Sequence, residues 1–160
     1  MKIMFVCMGN ICRSPLAHAV FDHQAKALGV AADFQTESAG TISYHVGNLP
    51  DPRARAIGAA HGVDVSHRAR HFRAADLDDF DLILVMDRDN EKEVLRLAKT
   101  DAQRERVRLF RSFDTDTSDG DEVPDPYYGG PEGFEHVFQL IDRTTKNLLR
   151  QLTAAQSEKG

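Results

Sequence analysis

Short apolar runs rich in β-branched and aromatic residues alternate with helix-period stretches along this chain, and that alternation is what most restricts its fold. Strand-like runs fall near residues 2–6, 33–39, 81–86 and 106–110; helix-like stretches fall near 15–28, 52–62 and 88–98, and a last helix opens near Pro131. The order predicts an α/β fold, a four-stranded parallel sheet with helices on both faces. Leu82-Ile83-Leu84-Val85-Met86 has no polar alternation, as expected of a strand buried on both faces. The final helix puts Phe134, Val137, Phe138, Ile141, Leu148 and Leu152 on roughly one stripe, with fraying expected over 155–160. At 160 residues and 41% hydrophobic, the chain has apolar material for one core and is expected to form a single domain, 1–160.

The first strand-to-helix junction carries the chemistry. After Lys2 to Val6 comes Cys7-Met8-Gly9-Asn10-Ile11-Cys12-Arg13-Ser14-Pro15, and then Leu16, Ala19, Val20, His23 and Ala27 are expected on one helical face. Ser14 has the character of an N-cap and Pro15 that of a first helical residue. The loop then lies at the positive end of a helix, where free backbone N–H groups of residues 8–13 can surround an anion. Gly9 is the residue expected to supply unusual backbone freedom. Helix end and Arg13 together favour the anionic form of a thiol at Cys7, so a nucleophile and a guanidinium fork share one loop, the means to attack a phosphate ester. In an open α/β sheet, ligands bind beyond the carboxyl ends of strands, where Cys7 sits.

A thiolate attacking a phosphate ester needs a proton donor for the leaving group, and Asp125 is the best candidate. Pro126 biases it to an extended conformation, and Tyr127 and Tyr128 are placed to wall a pocket. Ser14 is positioned to donate a hydrogen bond to the Cys7 sulfur.

Other patterns exclude alternatives. A net charge of −5 argues against general nucleic-acid binding. Arg53, Arg55, Arg68, Arg70 and Arg73 form the main basic cluster, expected to be mostly solvated surface. Asp114 to Asp125 is acidic, but a calcium loop requires Gly and Glu where Asp119 and Asp125 stand, so a solvated acidic loop is expected. His67 and His71 have helical spacing without the intervening Glu of a zinc hydrolase, and no metal or cofactor is expected. The N-terminus has no leader pattern, the longest apolar run is too short for a bilayer, and both cysteines lie in one loop. These features predict a cytoplasmic protein without membrane association and without a disulfide framework.

The run Cys7 to Ser14 resembles the signature loop of the low-molecular-weight protein tyrosine phosphatases: Cys, five residues, then Arg-Ser. Three other segments agree in order: Thr36-Glu37-Ser38-Ala39-Gly40-Thr41, Met86-Asp87-Arg88-Asp89-Asn90 and Asp125-Pro126-Tyr127-Tyr128-Gly129. The resemblance implies a Rossmann-like sheet of the phosphotyrosine phosphatase I type. It also implies hydrolysis of phosphotyrosine through a cysteinyl-phosphate. Cys7, Arg13 and Asp125 would be catalytic; Met8, Gly9, Asn10, Ile11, Cys12, Ser14, Tyr44, Tyr127 and Tyr128 would bind phosphate or substrate. It implies that Asn10, Ser38 and His67 form a network holding the loop, and that Cys12 is a redox partner for Cys7. Asp87 and His45 carry weaker expectations. Expected partners are phosphotyrosine proteins, with inorganic phosphate and other oxyanions as inhibitors, and the chain is expected to act as a monomer.

Three rivals use the same loop. Arsenate reduction requires further cysteines, and none follows Cys12. Phosphoarginine hydrolysis is associated, by the resemblance, with Thr at the position of Ile11. A non-catalytic phosphate-binding module is expected to have lost the nucleophile, the Arg or the acid, and Cys7, Arg13 and Asp125 all remain.

Overall fold

The computed structural model describes residues 1–159. Four parallel strands form its sheet: β1 (Lys2–Cys7), β2 (Gln35–Gly40), β3 (Leu82–Val85) and β4 (Val107–Leu109), in the order β2-β1-β3-β4. Six helices join and follow them: α1 (Arg13–Ala27), α2 (Pro52–Ala60), α3 (Asp76–Asp79), α4 (Arg88–Leu95), α5 (Asp101–Glu105) and α6 (Pro131–Lys159). Short 3-10 turns cover Ala31–Asp33 and Phe110–Phe113.

Strand alternation divides the core. Ile3, Phe5 and Cys7 of β1, with Leu82, Leu84 and Met86, face α1 and α6 through Leu16, Phe21, Val137 and Ile141. Met4, Val6, Ile83 and Val85 point the other way, onto Phe72, Leu77, Phe80 and Val94. All of Leu82 to Met86 is buried, as a strand covered on both faces requires.

Local chemistry sets the element ends. Asp51 caps α2 by accepting from the Arg53 N–H at 2.8 Å, with Pro52 as the first helical residue. Thr100 and Gln103 form a reciprocal capping box on α5. Both α3 and α5 are too short to leave a hydrophobic period in the sequence. The buried face of α1 is Leu16, Ala17, Val20, Phe21 and Ala25, whereas His23 and Ala27 are exposed, because the helix turns its stripe toward Phe5 and α6. Past Ala154, where fraying is expected, α6 continues to Lys159; Gly160 lies outside the described residues. Among the described residues, no helix is long and apolar enough to cross a membrane.

Because β2 lies on one side of β1 and β3 on the other, the chain reverses its direction of winding between β1 and β3. The crevice beyond their carboxyl ends is therefore the switch point where ligands bind in open α/β sheets. Cys7 ends β1 there, and Met86-Asp87 follows β3.

Candidate active site

The loop from Met8 to Cys12 turns tightly because Asn10 takes φ 56°, the left-handed region. Gly9 is not in that region, so the backbone freedom expected of it belongs to Asn10. Asn is among the few L-residues that tolerate this conformation, and here its fully buried side chain secures it. Asn10 Nδ2 donates to Ser14 Oγ at 2.7 Å and to Ser38 Oγ at 3.1 Å, and Oδ1 accepts from the Arg70 N–H at 3.0 Å. The backbone N–H groups of Gly9 to Cys12 have no hydrogen-bond partner among the described residues, so four donors remain for an anion.

Helix α1 starts two residues earlier than expected, at Arg13, with Cys12 in the capping position and no side-chain cap. Ser14 is consequently not the N-cap. Its hydroxyl turns into the loop and lies 3.0 Å from Cys7 Sγ. Since Ser14 Oγ accepts from Asn10, its own proton is free to point at the sulfur.

Arg13 is held rigidly although it is 3% exposed. Its Nη1 donates to Asp87 Oδ2 at 2.6 Å and to the Val123 carbonyl at 3.0 Å, and its Nη2 lies 3.7 Å from Asp125 Oδ2. Burial works against its charge, yet a Cys7 anion and Asp87 together raise its proton affinity above the ordinary arginine value. Asp87 uses its other oxygen to cap α4 through the Asn90 N–H at 2.7 Å, so one carboxylate fixes the guanidinium and starts a helix.

His67 supports the network from behind, but through the backbone: its Nε2 donates to the Ser38 carbonyl at 3.1 Å, not to the Ser38 hydroxyl. Burial first, then neighbouring His18, lowers its pKa, so it stands neutral with the proton on Nε2. The segment carrying His67 and His71 is not helical, and helical spacing there has no structural meaning.

A cleft of about 240 Å³ opens over the loop, lined by Cys7, Met8, Gly9, Ile11, Cys12, Arg13, Ile42, Tyr44, His45, Asp125, Tyr127 and Tyr128. It gathers the nucleophile, guanidinium and acid candidates with all three expected tyrosines. Tyr44 and Tyr128 stand exposed on the rim. Asp125 Oδ1 accepts from the Tyr127 N–H at 3.0 Å, leaving Oδ2 toward Arg13. Ile42 had no signal in the sequence beyond its place after Gly40-Thr41. Cys12 packs with Ala54 and Phe134, and burial, followed by Asp51 and Cys7, pushes its thiol far above the usual range.

Two charged segments hold more structure than the sequence suggests. In the basic cluster Arg55, Arg68 and Arg73 are exposed as expected, whereas Arg70 forks onto buried Asp76 at 2.9 and 3.0 Å and Arg53 onto Asp51. The acidic segment after Phe113 is not merely a solvated loop: Arg111, 1% exposed, bonds Asp114, Asp119 and the carbonyls of Asp116 and Glu122. A buried guanidinium requires such a shell of acceptors.

A family model described as low molecular weight phosphotyrosine protein phosphatase matches residues 2–158. A low molecular weight protein-tyrosine-phosphatase of Streptomyces coelicolor is 40% identical over 92% of this chain and 91% of its own. The human low molecular weight phosphotyrosine protein phosphatase is 35% identical over 94% of each chain. Among solved structures, a protein tyrosine phosphatase of Entamoeba histolytica, with Hepes in its active site, superposes with a TM-score of 0.92 at 37% identity. The match covers 98% of this chain and 99% of that one.

Proposed function

Since this chain belongs to the low-molecular-weight phosphotyrosine protein phosphatase family and is a protein tyrosine phosphatase, we propose how its residues divide the reaction. Cys7 Sγ attacks phosphorus in line with the leaving oxygen, forming the cysteinyl-phosphate. Arg13 and the loop N–H groups bind the equatorial oxygens, where charge is spread in the transition state. Asp125 donates a proton to the departing phenol, then takes one from the water that attacks the phosphocysteine. Ser14 donates to the sulfur, which stabilises it as nucleophile and again as leaving group. Tyr44 and Tyr127 flank the substrate ring, with Tyr128 further out.

The observation that carries this reading is the position of Cys7 beneath the cleft, 3.0 Å from Ser14 Oγ, with Arg13 and Asp125 meeting above it. Cys7→Ser should abolish hydrolysis of aryl phosphates while the protein still folds; near wild-type turnover would overturn it. Phosphotyrosine, phosphoserine and phosphoarginine peptides compared under the same conditions test the substrate class. Ile11, apolar and in the cleft wall, favours the aryl ester over the guanidinium of phosphoarginine. Phosphate and sulfonates should compete for the same loop.

The pair Cys7 and Cys12 supplies a redox guard. Peroxide converts a Cys7 thiolate to the sulfenic acid, and the Cys12 thiol condenses with it, releasing water and leaving a disulfide that thiols reduce. Wild-type enzyme treated with peroxide should regain activity on adding dithiothreitol, and Cys12→Ser should regain much less. Equal recovery would remove the guard.

A further inference from the structure

Asp125 sits on a loop with few anchors. From Pro124 to Gly129 the hydrogen bonds are mostly internal: Tyr127 N–H to Asp125 Oδ1 and Gly129 N–H to the Pro126 carbonyl, each at 3.0 Å. Among the described residues, the one hydrogen bond reaching these residues from elsewhere in the chain comes from Arg53, whose Nη1 donates to the Gly129 carbonyl at 3.4 Å. The Arg53 guanidinium also lies over the Tyr127 ring, 5.4 Å from its centroid, and over the Phe134 ring at 4.7 Å.

Arg53 is itself fixed. Its Nε and Nη2 fork onto Asp51 Oδ1 and Oδ2, both at 3.0 Å, and its own N–H also bonds Oδ1. Asp51 is tied in turn to the phosphate loop, because its N–H donates to the Ile11 carbonyl at 2.8 Å. A continuous set of contacts therefore runs from the loop holding the nucleophile, through the first turn of α2, to the loop holding the acid. A planar fork suits both tasks, binding a carboxylate edge-on while its faces cover aromatic rings.

We propose that the Asp51–Arg53 pair is a positioning device for catalysis: it sets the acid loop against the phosphate loop, so that Asp125 meets the leaving oxygen at the moment of transfer. Arg53 touches neither the reacting atoms nor Asp125. It acts through Tyr127 and Gly129, and the inference depends on Asp125 being the proton donor proposed above.

A misplaced acid matters most when the leaving group is basic, which supplies the test. Arg53→Met and Arg53→Lys are compared with wild type on phenyl phosphate, a poor leaving group, and dinitrophenyl phosphate, a good one, reading kcat/KM. In Arg53→Met, the phenyl ester should fall by about tenfold, part of the roughly 10²–10⁴ that a placed general acid contributes, while the dinitrophenyl ester barely changes. Lysine keeps the charge without the fork and should recover only part of the loss. If Arg53→Met does not fold, Arg53→Lys carries the same comparison. Equal losses on both esters, or no loss on either, would overturn the proposal. Asp125→Asn separates the two readings. Alone, it should show the same leaving-group selectivity in larger degree, and adding Arg53→Met to it should change nothing further on the phenyl ester. Selectivity absent from Asp125→Asn would mean the acid is misassigned, whereas selectivity there but not in the Arg53 variants would remove only the bracing role.

Discussion

Asn10 shows how much one side chain is asked to do. It holds a left-handed backbone, donates to two hydroxyls and satisfies the Arg70 N–H, all while fully buried. Alanine there would lose three hydrogen bonds and leave the half-buried Arg70 N–H without its acceptor. At about 0.5–1.5 kcal/mol for each bond, plus about 1 kcal/mol for the strained φ, Asn10→Ala should lower stability by roughly 2.5–5.5 kcal/mol. Urea unfolding measures it, and a loss below about 0.5 kcal/mol would show the network to be dispensable. The sequence announced a Gly-Asn turn but assigned the strain to Gly9, because glycine is the default for such backbones. That Asn10 takes it instead depends on Ser38 and Arg70, which arrive from elsewhere in the chain. Ser14 was expected both to cap the helix and to face the Cys7 sulfur, and only the second holds: a serine before proline looks like a cap, but its hydroxyl is turned inward by Cys7 and Asn10.

Among the elements, the segment between β4 and α6 departs most from its sequence signature. A run of aspartates is expected to face water, yet the side chain of Asp114 is covered, bonded to Arg111 at 3.0 Å and to Arg143 of α6 at 2.7 Å. Burial opposes its charge, but the hydrogen bonds from Arg143, the Asp116 N–H and Arg111 outweigh burial, and its pKa falls from the usual 3.8 to about 2. A carboxyl whose pKa is depressed in the folded state contributes stability that is complete above about pH 4 and is lost as pH falls toward 2. Asp114→Asn should therefore cost about 1–2 kcal/mol at neutral pH, after allowance for solvent screening, and the gap from wild type should narrow as pH drops below 4. Denaturant unfolding at neutral pH and near pH 3 measures both; a gap that does not change with pH would reject the carboxylate as its source. This segment also leads to Val123, whose carbonyl holds Arg13, so an acidic stretch remote in sequence supports the clamp. The longer elements were legible because their apolar periods are long, whereas α3 and α5, at 4 and 5 residues, leave none.

For the whole molecule, the sequence alone determined the α/β alternation, the buried character of β3 and the reactive content of the loop between β1 and α1. Each follows from local chemistry: the period of apolar residues, and a thiol, an arginine and a serine within a few residues of one helix start. What completes the site is not local. Strand order places β3 beside β1, bringing Asp87 to Arg13 across 74 residues of chain and the Val123 carbonyl across 110. That order is settled by burying both sheet faces at once, a balance over the entire core that no single segment encodes. The same balance seats Arg53 between Tyr127 and Phe134 while its carboxylate partner reaches the phosphate loop. Sequence thus determined which groups can do the chemistry, and tertiary structure decided which carboxylate grips the arginine, Asp87 at 2.6 Å, and which stands off from it, Asp125 at 3.7 Å.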